Sequence, residues 1–263
     1  MKIIFIGDIF GRPGREAVKK ALPEYREKYG VHLVIANAEN IHHGKGITED
    51  DLAEMKKAGV DFFTSGNHVF KERAIIPFMD SKRVPLVRPA NYPPNCPGRG
   101  YEIVEGGLKQ RVLIINLMGR IFMPMQLDCP FRTADKILEE TRHEQLAAIF
   151  VDIHAETTSE KMALAHYLDG RVTAVVGTHT HVPTADERVL AGGTAFQSDA
   201  GFTGPIDSVI GAEKKAIIEH FLSQMPVKHE VAQGPTVFNS CLIEVDDKTR
   251  KAVSIQRLQR YMD

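Results

Sequence analysis

The segment VVGTHTHVPTAD, from Val175 to Asp186, joins a short apolar run to two histidines that stand one residue apart. The run has the length of a β-strand and no polar alternation, which is typical of a strand covered on both faces. His179 and His181 follow at the predicted end of this strand. The segment therefore predicts a buried strand with metal-capable side chains at its carboxyl end, and the arrangement recurs along the chain.

Similar apolar runs occur at residues 2–6, 32–36, 61–65, 111–116 and 147–153. Helix-like segments lie between several of them, at residues 13–30, which end on Gly30, and at residues 48–59, with Thr48 as N-cap and Gly59 as C-cap. Four later segments predict further strands: GGTAFQ (192–197), PVKHEVA (226–232), TVFNSCLIEVDD (236–247) and KAVSIQRLQ (251–259). The pattern predicts an α/β fold, a layered β-sandwich of mixed sheets flanked by helices.

Composition narrows the class of protein. The 263 residues show no linker, repeat or low-complexity tract, so we expect one domain spanning residues 1–263. No apolar stretch approaches the roughly 20 residues that a membrane span needs. A net charge of −1 argues against binding to long duplex nucleic acid. Cys96, Cys129 and Cys241 form no paired motif, which favours the reducing cytoplasm.

Polar side chains follow five of the predicted strands. They are Asp8, Glu39 and Asn40, Asn67 and His68, His154, and the pair His179 and His181. Open α/β sheets bind ligands at the carboxyl ends of their strands, so we expect these side chains to converge. Each has an ordinary explanation when taken alone, such as a helix cap, a turn or a structural histidine. Five coincidences together favour a functional site.

The chemistry of this set indicates metals. Three imidazoles, two carboxyls and two amides, without a thiolate, suit manganese, iron or zinc. Seven ligands exceed one tetrahedral site and match two adjacent ions that share a carboxylate. Such a pair of ions stabilises both the attacking and the departing oxygen of an in-line displacement. The sequence therefore predicts hydrolysis of a phosphoryl or phosphodiester bond.

Several motifs resemble the calcineurin-like metallophosphoesterase superfamily and, within it, the YmdB-type subfamily. They are FIGDIFGRPGR, NAENIHHGKG, GNHVF, RPANYPPNCPG, INLMGR, DCPFR, DIHAETTSEKMA, VVGTHTHVPTAD and GGTAFQSDAGFTGP, and together they extend from Met1 to about Arg257. The resemblance implies a metallophosphoesterase fold and the activity of a 2′,3′-cyclic-nucleotide 2′-phosphodiesterase.

Two features depart from the wider superfamily and agree with the subfamily. The first block lacks the histidine of a D-x-H motif, because Phe10 stands there, and Glu39 replaces the bridging aspartate of a GDxxD block. Residue by residue, the resemblance implies two sets of metal ligands, with Glu39 bridging the two metals. The first metal would be bound by Asp8, Glu39, Asn40 and His181, and the second by Glu39, Asn67, His154 and His179.

Two expectations concern the histidines. His179 and His181, at positions i and i+2 of a segment expected to be extended, are expected to point to opposite sides and so to reach different metals, with Thr180 as the spacer that turns the imidazoles apart. His68 lies beside the predicted ligand Asn67 and is the candidate general acid that protonates the leaving oxygen. The alternative is that His68 contacts no substrate and only orients water. Metal-bound hydroxide is the expected nucleophile.

The expected enzyme is a dinuclear phosphodiesterase that contains iron or manganese, with zinc also compatible. Small 2′,3′-cyclic nucleotides are the expected substrates and 3′,5′-cyclic nucleotides a second candidate. A phosphomonoesterase or nuclease with the same centre remains an alternative, as does a regulatory protein whose metals only stabilise a binding surface. The sequence leaves the native metals, the physiological substrate, the pathway and the presence of a homo-oligomer open.

Overall fold

The computed structural model describes residues 1–263, except for the side chain of Leu108. The strands are β1 (Lys2–Ile6), β2 (Asp8–Ile9), β3 (Leu33–Asn37), β4 (Phe62–Thr64), β5 (Tyr101–Glu105), β6 (Arg111–Met118), β7 (Ala148–His154), β8 (Ala174–Thr178), β9 (Arg188–Val189), β10 (Ala195–Gln197), β11 (Phe202–Pro205), β12 (Thr236–Val245) and β13 (Ala252–Met262). The α-helices are α1 (Gly11–Tyr29), α2 (Glu49–Lys57), α3 (Pro130–Glu140), α4 (Thr158–Leu168) and α5 (Lys214–Ser223). Short 3₁₀ helices occupy Arg73–Phe78 and Gly107–Lys109.

The strands form two mixed sheets. The first has the order β2-β11-β12-β1-β3-β4, with β13 on β12, and the second has the order β5-β6-β7-β8-β10-β9. In the first sheet β1 is parallel to β3 and antiparallel to β12, with Lys2 opposite Glu244 and Ile6 opposite Ser240. In the second sheet β6, β7, β8 and β10 are parallel, and β5 and β9 pair antiparallel at its edges.

Alternate side chains of β1 face two different cores. Ile4 and Ile6 lie in a core with α1 and α2, on the outer face of the first sheet. Ile3 and Phe5 lie between the sheets, where the ring of Phe5 is 4.8 Å from that of Phe150 on β7. A third core covers the other face of the second sheet with α3 and α4. The order of layers is therefore helix, sheet, sheet, helix, and this confirms the predicted fold class.

The local predictions hold at most boundaries. Gly30 ends α1 in the left-handed conformation, and the Thr48 hydroxyl caps α2 by accepting a hydrogen bond from the Asp51 backbone N–H. Gly59 was expected as the C-cap of α2, but the helix ends at Lys57 and Ala58 is its cap. The turn that follows still requires Gly59, whose φ is +105°.

One predicted strand is wrong. PVKHEVA (226–232) follows α5 as an irregular segment, and its ladder contact is a single bridge from Val231 to Ala212. Val227 and Val231, both β-branched, favour a strand locally, but the neighbouring edge offers one short bridge instead of a full partner.

None of the described helices combines the length and the apolar character that a crossing of the bilayer would need.

Candidate metal centre

The two sheets bring five strand ends to one place. The Asp8 side chain follows β1, Glu39 and Asn40 follow β3, Asn67 follows β4, His154 ends β7, and His179 and His181 follow β8. Parallel strands share a direction, so their carboxyl ends meet at one edge of each sheet, and the stacked sheets place both edges together. All seven side chains predicted to bind metals lie at this junction.

Asp8 and Glu39 are the buried carboxyls of the cluster, with 0% and 1% of their surface exposed. Asp8 accepts the His179 backbone N–H at 3.2 Å through Oδ2. The amide of Asn40 lies between the two carboxyls, because its Nδ2 is 3.4 Å from Asp8 Oδ1 and 3.1 Å from Glu39 Oε1. Glu39 thus occupies the middle of the cluster, as a bridging ligand would.

One side of Glu39 faces three nitrogen and oxygen donors. Its Oε2 lies 3.3 Å from His154 Nε2, which lies 2.9 Å from Asn67 Oδ1 and 3.1 Å from His179 Nδ1. Among the described residues, Glu39, His154 and His179 form a group of ligand atoms that all lie within 4.8 Å of one another. These spacings allow all three residues to contact one ion.

The other side of the cluster contains His181. Its Nε2 lies 3.1 Å from Asn40 Nδ2, while its Nδ1 is bound to the Ile210 carbonyl at 2.7 Å. A carbonyl on one ring nitrogen keeps the proton there and leaves the other nitrogen free to bind a cation. The ring also stacks on Phe202, with centroids 5.4 Å apart, and Phe10 packs on its edge.

His68 lies at the edge of this cluster. Its Nδ1 is 2.7 Å from Asn40 Oδ1 and 3.3 Å from Glu39 Oε1, and its backbone N–H donates to Glu39 Oε2 at 2.9 Å. The side chain is 21% exposed, whereas that of His154 is fully buried. His68 therefore combines a fixed Nδ1 with access to solvent.

His179 and His181 point apart after β8, but the cause expected from the sequence is wrong. The segment is bent, because His179 has φ +101° and His181 has φ +66°. The imidazoles still diverge, with His179 near His154 and His181 near Asn40. The left-handed backbone around Thr180, and not the pleat of an extended strand, separates the two rings.

Burial and charge shift the pKa values within the cluster. Burial raises the pKa of Asp8 to about 8. Burial alone would raise the pKa of Glu39, but His154 and His68 hold it well below its usual value. Burial would lower the pKa of His154, yet the Glu39 charge raises it to about 9, while burial lowers the pKa of His179 to about 3. The cluster as it stands therefore favours a proton on Asp8 and on His154 next to a charged Glu39. A metal cation bound among these side chains would replace those protons.

Other buried polar residues support the cluster from below, and the sequence patterns missed them. Asp152 accepts hydrogen bonds from Thr178 Oγ1 at 2.7 Å and from Asn37 Nδ2 at 3.0 Å, and burial raises its pKa to about 6. Thr178 Oγ1 also lies 2.9 Å from His154 Nδ1. The alternation of the VDIH segment places Asp152 and His154 on one face of β7, and this was the signal available beforehand.

A protein family model, known proteins and solved structures each match this chain. The YmdB-like protein family model matches residues 4–258. The 2′,3′-cyclic-nucleotide 2′-phosphodiesterase of Bacillus subtilis is 47% identical, over 98% of this chain and 96% of its own. The crystal structure of a novel phosphatase from Mycoplasma pneumoniae matches with a TM-score of 0.92 and 36% identity, covering 100% of this chain and 94% of that one. The 5′-nucleotidase precursor of Thermus thermophilus shares the fold, with a TM-score of 0.60 and 14% identity over 100% of this chain and 54% of its own.

Proposed function

The chain belongs to the YmdB-like protein family, and from this premise we propose that it is a dinuclear metal-dependent phosphodiesterase of small cyclic nucleotides. The observation that carries the proposal is the convergence of two buried carboxyls with three imidazoles and two amides. Burying two carboxylates costs free energy unless their charge is neutralised. Metal cations can neutralise it, and the nitrogen and oxygen atoms of this cluster are suitable ligands for them.

We assign the residues to two overlapping sets. Asp8, Glu39, Asn40 and His181 would bind one ion, and Glu39, Asn67, His154 and His179 the other. The amide of Asn40 presents Nδ2 to Asp8 and Glu39, so binding through Oδ1 requires the amide to rotate by half a turn. Iron or manganese fits this mixture of ligands best, and zinc is also compatible.

Bound metals would supply a nucleophile from water near neutral pH and neutralise charge on the phosphoryl oxygens. The chain itself supplies the proton for the leaving oxygen through His68. Asn40 Oδ1 lies 2.7 Å from His68 Nδ1, so the half-turn that presents Oδ1 to a metal presents the Nδ2 amide to Nδ1 instead. Nδ1 then accepts a hydrogen bond and the ring proton lies on Nε2, the atom that can reach a substrate. An ester oxygen that leaves with a proton is a much better leaving group, and such assistance contributes about 10²–10⁴ in rate.

The substrate class rests on the similarity to the Bacillus subtilis enzyme, whose name specifies 2′,3′-cyclic nucleotides. The 3′,5′-cyclic nucleotides are a second candidate. A phosphomonoester is the alternative that the Mycoplasma pneumoniae phosphatase favours, because its fold matches closely along the whole chain. We also propose that residues 1–263 act as one domain and that the protein works in the cytoplasm, in keeping with its three free cysteines.

The test combines metal analysis with turnover. Purified protein is measured for bound metal by mass spectrometry and assayed with 2′,3′-cyclic AMP, 3′,5′-cyclic AMP and an aryl phosphomonoester. We expect two metals per chain and preference for the 2′,3′-cyclic substrate. Fewer than one metal per chain, with no metal-stimulated hydrolysis of any substrate, would overturn the proposal.

Single variants separate the roles of the residues. Asp8→Ala should lose bound metal and activity, whereas His68→Ala should lower turnover by about 10²–10⁴ and keep its metal. His143→Ala, at an exposed position on the surface, is the matched control and should behave as the wild type. Equal loss of metal in Asp8→Ala and His68→Ala would contradict the assignment of His68 as the acid.

A further inference from the structure

The backbone that carries two of the proposed ligands is held in an unusual shape. His179 and His181 both have φ values in the left-handed region, at +101° and +66°, which residues with side chains rarely adopt. Such a conformation persists only where the surroundings hold it. Thr180 lies between the two histidines, so the contacts that hold Thr180 help to fix the backbone from which both imidazoles project.

Asp199 is the residue that holds Thr180. Its Oδ2 accepts the Thr180 backbone N–H at 3.1 Å and the Thr180 hydroxyl at 2.8 Å, and its Oδ1 accepts the Gly201 backbone N–H at 2.8 Å. Asp199 lies in the segment between β10 and β11 and is 1% exposed. One carboxylate therefore fixes the bend after β8 to the turn that precedes β11.

Lys161 neutralises this carboxylate. Its Nζ donates to Asp199 Oδ2 at 2.7 Å, and its side chain is 0% exposed. Lys161 belongs to α4, which follows His154 in the chain, so the ion pair joins the elements that carry His154, His179 and His181. A Cβ on Gly177 would overlap the Ser198 backbone carbonyl and lie 2.8 Å from Lys161 Cδ, so this glycine of β8 leaves room for the residue before Asp199 and for the lysine.

We propose that Lys161 and Asp199 are positioning residues for the metal centre, acting through Thr180 on His179 and His181. Neither side chain is open to a substrate, because Lys161 is 0% and Asp199 1% exposed. A buried ion pair is a weak source of stability compared with apolar packing, so its value here is the geometry that it imposes. The inference rests on the proposed function, since it requires that the two histidines bind metal.

The experiment measures Mn²⁺ affinity and metal-free melting temperature in parallel. Asp199→Asn keeps the shape of the side chain and removes its charge, and Lys161→Met keeps the unbranched chain as far as the ε position and removes the ammonium group. Each variant is expected to raise the Kd for Mn²⁺ at least tenfold. Thr180→Val removes the hydroxyl at a half-buried position, with its bond to Asp199 and a long one from the Val182 backbone N–H, and leaves the ion pair intact. It is expected to raise the Kd severalfold, so the proposal stays testable if the charged variants fail to fold.

Asp169→Asn is the matched control. Asp169 also accepts backbone N–H groups of a glycine turn, from Gly192 at 2.7 Å and Thr194 at 3.3 Å, but it lies before β8, at the opposite end of the same sheet. Asp169→Asn should lower the melting temperature and leave the Kd for Mn²⁺ within twofold of the wild type. A merely structural role of Lys161 and Asp199 would give the same result.

Wild-type affinity for Mn²⁺ in Asp199→Asn, Lys161→Met and Thr180→Val would overturn the positioning role while leaving the metal centre intact. Failure of the wild-type protein itself to bind Mn²⁺ would instead refute the proposed function. The two failures are therefore distinguished in one set of titrations.

Discussion

At the scale of single residues, Gly66 allows side chains of the candidate centre to approach one another. A Cβ added to Gly66 would lie 2.4 Å from Glu39 Oε2 and 2.4 Å from His154 Nε2, inside the contact distance of both atoms. Gly66 lies two residues after the end of β4 and directly before Asn67. The space that this glycine leaves is part of the site.

Gly66→Ala should therefore weaken metal binding. The added methyl must displace Glu39 or His154, and we expect the Kd for Mn²⁺ to rise at least tenfold by calorimetric titration. Gly106→Ala is the control, because its Cβ would meet its nearest neighbour at 3.6 Å, an ordinary contact distance. A wild-type Kd for Mn²⁺ in Gly66→Ala would show that Glu39 and His154 can move away from the added methyl without weakening metal binding.

Cys241 is predicted to be unreactive in the folded protein. It is buried on β12, and burial raises the pKa of its thiol to about 12, so at pH 8 only about one molecule in 10⁴ carries the thiolate. Cys96 and Cys129 are half-buried and should react first. A chromogenic disulfide reagent should titrate two thiols rapidly and the third only after denaturation.

Cys241→Ser provides the check on this assignment. The variant should retain the full amplitude of the rapid phase and lose the denaturant-dependent one. Loss of rapid amplitude would mean that Cys241 is accessible.

Much of the site was predictable from residue types, and its geometry was not. Strand ends and ligand chemistry were sufficient to select eight side chains, from Asp8 to His181, that the fold brings together. Amide orientation, as at Asn40, depends on neighbours far along the chain. The left-handed backbone of His179 and His181 depends on tertiary contacts in the same way, and so does the pairing of Lys161 with Asp199.

At the scale of elements, α1 and α2 are joined by an ion-pair group around Glu54. Arg15 Nε lies 2.7 Å from Glu54 Oε2, and Lys19 Nζ lies 2.8 Å from Glu54 Oε1. Burial would raise the pKa of Glu54, but its bond to Lys19 and the Arg15 charge lower it. The charged form of Glu54 therefore stabilises the contact between the two helices.

Glu54→Gln should cost about 0.5–1 kcal/mol of unfolding free energy at pH 7, the range of partly exposed ion pairs. A folded-state pKa below that of the unfolded chain gives stability that is complete above the usual glutamate pKa and is lost as pH falls through the folded value. The difference between variant and wild type should accordingly be smaller at pH 3 than at pH 7. Urea unfolding at both pH values measures it.

Glu27→Gln, at an exposed position on α1, is the control for this comparison and should change the unfolding free energy little at either pH. A difference for Glu54→Gln that persists in acid would point to packing and not to charge.

Strand existence was easier to predict than strand pairing. Apolar runs such as that of β7 are local signals, and each became a strand. The pairing of β1 with β12 joins residues more than 230 positions apart, as in Ile3 opposite Ile243, and local pattern carries no information about it. The error at PVKHEVA has the same origin, because a strand needs a partner edge as well as a suitable sequence.

At the scale of the whole molecule, the proposed metals connect the two sheets. Asp8 and Glu39 come from the first sheet, and His154 and His179 from the second. An ion bound between them stabilises the folded chain and not the unfolded one. Metal and fold should therefore be thermodynamically linked.

Calorimetry should show one unfolding transition whose midpoint depends on metal. Saturation at about 100 times the Kd adds about 2.7 kcal/mol, which corresponds to an increase of roughly 5–10 °C for a chain of this size. Asp8→Ala should melt at the same temperature with Mn²⁺ and with a chelator. Two separate transitions, or an equal effect of Mn²⁺ on Asp8→Ala, would contradict the linkage.

The central position of β1 has a consequence for biosynthesis. A ribosome makes β1 first, yet β12, its antiparallel neighbour, follows more than 200 residues later. Until β12 emerges, one side of β1 has no partner, and Asp8, directly beyond it, has no finished sheet to hold it. Topologies of such high contact order fold slowly and leave strand edges exposed meanwhile. We therefore expect ribosome-bound chains that lack the last 30 residues to bind no metal and to depend on chaperones.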